Sequence, residues 1–358
     1  MSKARDLAKV GSVASLVSLK NRIINGAMVI DQRNAGASYT VPSGGGYSID
    51  RWHCEASQAS KYTAQQSSTA PAGFVNSLKL TSSSAYSLGA GDYFQLQQSI
   101  EGFNTADFNF GTANAKTITL SFWVNASVTG TYGMFLINNA SNRIYPTSYT
   151  VNSANTWEQK TITVAGDTTG TWDTTNNRGI RVAWTLGYGS TYAGATPNAW
   201  TGGSLYVPSG CVNFVGTNGA TFYITGVQLE AGSTATPFEF RPYGQELALC
   251  QRYLPAYIYE SSSGSEIIGW FRGGSGSTYG STQIVFPVTA RVPPTGISVT
   301  GSSYAVSGLS FTTITFGSAS TRVGQLDVSG GSGMTALAMY TFTAGATGSK
   351  ILFTGSEL

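Results

Sequence analysis

Charge is what this chain most lacks. Asp, Glu, Lys and Arg together make up 10% of its 358 residues, against about 25% in an ordinary globular protein. Long solvated helices carry such residues on their outer faces, so they are excluded as the main architecture. The 20 basic and 17 acidic residues nearly cancel, and no basic run breaks the balance; a protein that tracks nucleic-acid phosphates needs a stronger positive field. Histidine occurs once, as His53, and cysteine three times, as Cys54, Cys211 and Cys250. These spacings fit no His/Cys metal motif, and the odd cysteine count argues against a disulfide-stapled fold. No apolar stretch approaches the ~20 residues of a bilayer span. Lys9, Gly11, Ser12, Ser15 and Ser18 interrupt the N-terminal region where a signal peptide would have its apolar core. Neither membrane insertion nor export is expected.

What the chain does have is 41% hydrophobic residues, 12% aromatics and 44 glycines. The apolar share is that of a folded protein, and the glycines suit short strands joined by tight turns. Residues 1–20 carry a three-four spacing, Leu7, Val10, Ala14 and Val17, with Gly11 inside it; this is either a leader or a short docking helix or arm. Residues 21–244 read as strand after strand. Ile118, Leu120, Phe122 and Val124 alternate with polar neighbours, as do Ile180, Val182, Trp184 and Leu186, which leaves Arg181 on the outward side. From Thr221 the pattern buries Phe222 and Ile224, then shifts phase at Gly226 to bury Val227 and Leu229, the signature of a β-bulge. Turn clusters such as Ser43–Gly46 separate the strands, and the rhythm is that of an antiparallel sandwich. Residues 245–358 begin with a short helix that places Leu247, Cys250 and Leu254 on one face and stops at Pro255. A smaller β-domain follows, with strands expected at 284–288, 311–316 and 337–342. The fold class is all-β.

Activated catalytic groups are scarce. His53 and Cys54 are neighbours in a strand, so their side chains point to opposite faces and do not form a dyad. Glycoside hydrolysis uses two carboxylates about 5–10 Å apart; candidate acids in the sandwich are few, Asp92, Glu101, Asp107, Glu158, Asp167, Asp173 and Glu230 among them, and the sequence leaves their pairing open. Asp167 and Asp173 flank a loop ending at Trp172 that would suit a sugar, a calcium ion held with backbone carbonyls, or plain turn chemistry. No cofactor is expected. Aromatics on small-residue loops are the stronger signal: Trp172, Tyr188, Tyr192 and Trp200 in the sandwich, and Trp270 and Tyr279 around a glycine-rich loop near the end. Flat rings among Asn, Ser and Thr suit stacking on sugar faces, and equally suit packing between subunits.

Several segments, in one order, resemble tail-fibre and related virion proteins of tailed bacteriophages. They are Met1–Ala8, Asn21–Met28, Asp50-Arg51-Trp52, Ile118–Val124, Tyr149–Val164, Gly166–Trp172, Gly226–Glu230, Pro237–Tyr243 and Glu246–Tyr253. The resemblance implies a jelly-roll sandwich similar to carbohydrate-binding modules, commonly a homotrimer on the virion surface, made in the host cytoplasm. It implies an N-terminal arm, with Arg5, Leu7, Val10 and Val17, that docks to another virion protein, and a C-terminal tip. Host surface glycan is the implied partner. A capsid decoration or head fibre would need the same modules, and a glycan depolymerase is disfavoured by the scarcity of acids. Deleting residues 1–20 is expected to leave a folded protein that no longer joins particles, read by incorporation into assembling virions. A truncated chain that cannot fold would remove the docking role.

Overall fold

The computed structural model describes residues 19–259, 266–274, 278–301, 304–306, 313–329, 335, 337–344 and 348–358; the arm residues Arg5, Leu7, Val10 and Val17 lie outside them. Two compact units meet at the Arg241–Pro242 bond.

The first unit holds twelve described strands. These are β1 (Tyr39–Thr40), β2 (Gly46–Ile49), β3 (Trp52–Ala56), β4 (Tyr62–Ser67), β5 (Ser77–Ser82), β6 (Tyr93–Glu101), β7 (Ile118–Ala126), β8 (Gly130–Asn138), β9 (Ile144–Val151), β10 (Glu158–Val164), β11 (Arg178–Tyr188) and β12 (Thr221–Ala231). They form two six-stranded antiparallel sheets, ordered β1-β4-β5-β12-β7-β10 and β2-β3-β6-β11-β8-β9. The topology follows from one long folded ribbon. β5 pairs with β12, β6 with β11, β7 with β10 and β8 with β9, and successive pairs fall alternately in the first and second sheet. Pairing of β12 with β7 and of β11 with β8 completes each sheet. A ribbon wrapped in this way is a jelly roll.

Strand alternation sends one side chain in two to the interior. Leu120, Phe122, Val124, Phe222 and Ile224 from one sheet meet Leu96, Leu136, Val182, Trp184 and Leu186 from the other in a continuous buried core. Trp184 lies 5.6 Å from Trp52 and 5.5 Å from Phe122 between ring centroids. The expected phase shift in β12 is present: the register with β7 slips between Thr225 and Gln228, around Gly226 at φ +61°. Val227 and Leu229 thereby return to the core. One end of the sandwich is closed by the segment after Leu19. Asn21 Nδ2 donates to Val227 O (3.0 Å) and its Oδ1 accepts from Leu229 N (3.0 Å), while Trp52 Nε1 donates to Asn25 O (2.9 Å). Glu239 accepts from the Lys20 and Asn21 amides, and Arg241 donates to the carbonyls of Ile23 and Asn21.

In the second unit a helix, α1 (Tyr243–Gln251), buries Cys250 with Leu254 just beyond it and leaves Leu247 half-buried. Nine described strands follow: β13 (Ala256–Ile258), β14 (Glu266–Gly273), β15 (Tyr279–Val285), β16 (Gly296–Thr300), β17 (Tyr304–Val306), β18 (Thr313–Ala319), β19 (Val323–Ser329), β20 (Met339–Ala344) and β21 (Lys350–Thr354). They form sheets ordered β13-β21-β16 and β17-β20-β14-β15-β19-β18 around Phe271, Ile284, Leu326, Val328, Phe342 and Phe353. The strand expected over 284–288 stops at Val285. Pro287 has no N–H for a ladder, and Phe286 instead turns into the core as its amide bonds Arg322 O (2.8 Å). The strand expected over 311–316 is described from Thr313 and runs to Ala319, and the strand expected over 337–342 runs from Met339 to Ala344.

The bulge gives a stability test. A Cβ at Gly226 would sit 2.6 Å from the Phe74 ring in a left-handed backbone, whereas Gly219, also at positive φ (+75°), has nothing within 4 Å. Gly219→Ala is expected to cost only the backbone preference, about 1 kcal/mol. Gly226→Val should cost about 2–4 kcal/mol because overpacking adds to it. Urea denaturation of the two variants reads the difference.

Candidate functional site

The outer face of the second sheet is set by the same alternation that fills the core. Along β6, Phe94 and Leu96 point inward, so Tyr93, Gln95 and Gln97 stand on the outer face. Register then places side chains in rows. His53, Gln97, Ala183 and Phe135 lie opposite one another across β3, β6, β11 and β8; Glu55, Gln95 and Thr185 form the next row; Arg181 stands between Ser99 and Ile137.

One irregularity matters. Even-numbered residues of β11 face the core through Leu186, so strict alternation would bury Tyr188. A register shift between Thr185 and Gly187 brings Tyr188 opposite Tyr93 instead, and its ring faces outward, a common use of a bulge at a site.

The residues after β11 fold back over the β8–β9 half of this face. Gly194 and Ala195 amides bond Val207 O (both 2.9 Å), Tyr206 N bonds Tyr192 O (2.8 Å), and Val212 N bonds Thr131 O (2.8 Å). Val207 joins Phe135, Ile137, Ile144 and Ala183 in a small apolar cluster on the outside of the sheet. Gly133 makes this possible, since a Cβ there would stand 2.8 Å from Val207 Cγ1. The β3–β6–β11 half stays open, and where the flap stops a cleft of about 240 Å³ remains.

Its walls are Tyr93, Tyr188, Tyr192, Tyr206 and Phe135, and its polar groups are Glu55, Gln95 and Arg181. The rings brace one another: Tyr192 lies 6.0 Å from Tyr93 and 5.8 Å from Tyr206, and Tyr206 lies 5.0 Å from Phe135. A hydrogen-bonded ladder crosses the floor. The Tyr188 hydroxyl donates to Gln95 Oε1, Gln95 Nε2 donates to Gln97 Oε1 (2.5 Å), and Gln97 Nε2 reaches Glu55 Oε2 (3.4 Å) and His53 Nδ1 (3.2 Å). Burial pushes the Tyr188 and Tyr93 hydroxyls above the usual phenol range, so both are neutral at pH 7. Burial also raises the Glu55 carboxyl, against the pull of Arg181. Among the described residues the hydroxyls of Tyr93, Tyr192 and Tyr206 have no hydrogen-bond partner, so they face a ligand as free donors and acceptors. Such a cleft has the shape and bonding groups to take a flat-faced molecule with hydroxyls around its rim.

The sequence-predicted aromatics are thus divided. Tyr188 and Tyr192 line the cleft. Trp172 and Trp200 form a separate half-buried cluster, 5.1 Å apart and packed edge-on to Phe110 (4.9 and 5.7 Å). Their indole N–H groups donate to Thr169 O (3.2 Å) and Ala165 O (2.7 Å), so both are tied into the wall of the sandwich. Trp270 and Tyr279 belong to the second unit, on β14 and β15, where they are 62% and 50% exposed. Glu55, Tyr93, Gln95, Phe135 and Tyr206 were not singled out from sequence, and Arg181 was placed on the outward side by alternation but not assigned to a site. Alternation along β6 was the available signal for Tyr93 and Gln95.

The loop of Asp167 and Asp173 is not an open acidic site. Burial alone would raise the Asp167 carboxyl, but Arg143 Nε and Nη2 grip its two oxygens at 2.7 Å each, and with Thr169 hold it below the usual carboxylate range. Its charge is taken up by an internal pair, in keeping with the turn-chemistry reading of this loop. Asp173 caps its own turn through the Thr175 amide (2.8 Å). Among the described residues no three His, Cys, Asp or Glu side chains converge as a metal site. Cys54 is fully buried and its thiol is pushed up to about 12, which leaves no thiolate beside His53 at neutral pH.

No protein-family model and no curated protein sequence matches the chain. Among solved structures it is similar to the enzymatically active domain of bacteriophage CBA120 tailspike protein 4, at 12% identity and a TM-score of 0.32 over 59% of this chain. The chain spans about a fifth of that protein, 21% of its length. It is also similar to a CBM4 carbohydrate-binding module (16% identity, TM-score 0.28, 58% of this chain and 98% of that one). A third likeness is to the family 11 carbohydrate-binding module of a cellulosomal cellulase of Clostridium thermocellum (12%, 0.29, 56% and 99%). Similarities at this level assign no ligand, and the jelly roll rests on the strand pairing itself.

Removing the Arg143 side chain would leave Asp167 buried and unpaired. Arg143→Ala is expected to cost about 3 kcal/mol at pH 7. Because the folded-state pKa of Asp167 is depressed, the pair's contribution is complete above the unfolded value of about 4 and is lost as pH falls through the folded one. The gap between wild type and variant should therefore shrink on acidification below about pH 4, read by urea denaturation across pH 3–7.

Proposed function

We propose that the cleft on the outer face of the second sheet binds one or two residues of a glycan, and that the protein is a non-enzymatic receptor-binding component of a tailed-phage virion. The observation that carries the glycan reading is the pairing of four tyrosines and Phe135 with a connected Gln95–Gln97–Glu55 floor. A pyranose has apolar C–H faces and a polar rim, and it needs this combination of ring and bonding group. The cleft is smaller than the ~300–1,000 Å³ of drug-sized sites, which suits a short stretch of sugar chain.

Glu55 is the one carboxylate among the lining residues. Hydrolysis by the usual route takes two carboxylates about 5–10 Å apart across the scissile bond, and this supports binding without cleavage. The virion setting comes from the sequence resemblance. That resemblance also supplies a homotrimer, in which three weak clefts would act together on a repetitive cell surface.

Glycan-array binding of the purified protein tests this reading. Tyr192→Ala should weaken binding about tenfold, the equivalent of ~1.4 kcal/mol of lost stacking. Trp200→Ala should lower stability and leave affinity unchanged. Absence of binding to every glycan, or equal loss in both variants, overturns the assignment of the cleft. Particles that lack the protein and still adsorb normally would make it a decoration instead.

A further inference from the structure

Arg181 is the one cation lining the cleft, and among the described residues it has no hydrogen-bond or ion-pair partner. β11 is paired on both sides at this position, to Ser99 and to Ile137, so the side chain is committed to the outer face. Two residues on, the small side chain of Ala183 stands opposite Phe135, and the guanidinium carbon lies 6.0 Å from the Phe135 ring centroid. Among the described residues, none of its nitrogens makes a hydrogen bond or an ion pair, and Nε is fully buried without one. Glu55 shares the cleft but turns elsewhere, its Oε2 lying 3.5 Å from His53 Nδ1 and 3.4 Å from Gln97 Nε2.

Arg22, Arg51, Arg178 and Arg241 also have a buried, unbonded Nε but bond through another nitrogen, which Arg181, among the described residues, does not. Buried donors are nearly always bonded, and leaving a charged one unbonded costs more than leaving a neutral one. The neighbourhood adds to the cost. Arg178, on the same strand, is pushed down to about 10 by burial and then by the charge of Arg181. Two arginines therefore stand near one another on this strand, and Arg178 lies opposite Glu101 of β6. Arg178 has its own acceptors, Asn139 O (2.7 Å) and Ser141 Oγ (3.4 Å); Arg181 does not.

We infer that the cleft is specific for an acidic sugar, and that Arg181 receives its carboxylate. The inference rests on the glycan reading above and narrows it to uronic-acid-type residues. A carboxylate is planar and accepts two parallel N–H bonds from a guanidinium, and as a monoanion it balances one arginine. A phosphate, close to a dianion at pH 7, would carry a second charge past Glu55. The sugar ring then lies against Tyr192 and Tyr206 while Gln95 bonds its hydroxyls. Arg181 is thereby the specificity-determining residue of the site.

The test is the same acidic oligosaccharide before and after carboxyl reduction, an oligogalacturonide and its neutral galactose form, titrated into the full-length protein. Reduction should weaken binding at least tenfold, and Arg181→Gln should weaken binding of the acidic form by as much while leaving the neutral form unchanged. Arg181→Lys should recover part of the loss. Raising the salt concentration should weaken only the acidic form. An unchanged melting temperature in both variants keeps the comparison one of binding. Equal affinity for the two forms, or tighter binding of sulfated neutral sugars than of the uronate, overturns the inference and leaves the glycan reading standing. No binding of either form, together with silence across the glycan array, overturns both.

Discussion

Strand β11 is hydrogen-bonded along both edges, and a strand held that way has no freedom in where its side chains go. Val182, Trp184 and Leu186 are driven inward by the apolar contacts they make with the facing sheet. Arg181, Ala183 and Thr185 are thereby forced outward in fixed rows. A one-residue slip would exchange the two sets and place a guanidinium in the core, at a cost far beyond any gain on the surface. The core thus fixes the register, and the register fixes the floor of the cleft to within the spacing of the strands. A binding surface built on such a floor needs little ordering when a ligand arrives.

The flap over the other half of the sheet solves a different problem. Phe135, Ile137 and Ile144 are apolar residues on an outer face, and open to water they would form a patch inviting association. The flap covers them with Val207 and Tyr206, and where the covering ends its tyrosines form the wall of the cleft. Rings that seal the apolar cluster on one side are the ones that meet the open groove on the other. Tyrosine suits both tasks because it has an apolar body, a polar tip and few rotatable bonds.

Much of the sandwich was legible before any coordinates. Alternation in 118–124 and 178–186 named the buried residues, and Gly226 marked the bulge of β12, because those patterns are local and depend on a two-residue period. The clasp that joins Asn21–Ile23 to Glu239 and Arg241 spans more than two hundred residues, and local pattern does not reveal it. The cleft was hidden for the same reason. Glu55, Gln95, Phe135 and Arg181 come from four strands that neighbour one another only after the ribbon has wrapped. Trp172 and Trp200 show the limit of composition as a guide. They share the chemistry of Tyr188 and Tyr192, yet their N–H groups find carbonyls in the wall and their rings find Phe110, which local sequence does not encode. Trp270 and Tyr279 are exposed as surface aromatics can be, but exposure assigns no ligand to them.

A polar ladder and a lone cation share this face, and they differ in what they need. Tyr188, Gln95, Gln97, Glu55 and His53 satisfy one another, so their geometry is retained with the cleft empty. Among the described residues Arg181 has no hydrogen-bond or ion-pair partner, and its side chain is steered by the backbone register and the face of Phe135. Other buried polar atoms lack a partner, Trp184 Nε1 and the Tyr149 hydroxyl in the core among them, but at Arg181 the unbonded group carries a charge, and lapses of that kind concentrate where a protein meets something else. A structure that needed only stability would bring a carboxylate into hydrogen-bond contact with Arg181, which Glu55, bonded to Gln97, does not make, or would replace it with an uncharged residue. Under the proposed reading, an unpaired guanidinium beside a floor already rigid leaves its electrostatic energy to be released on contact with an anion.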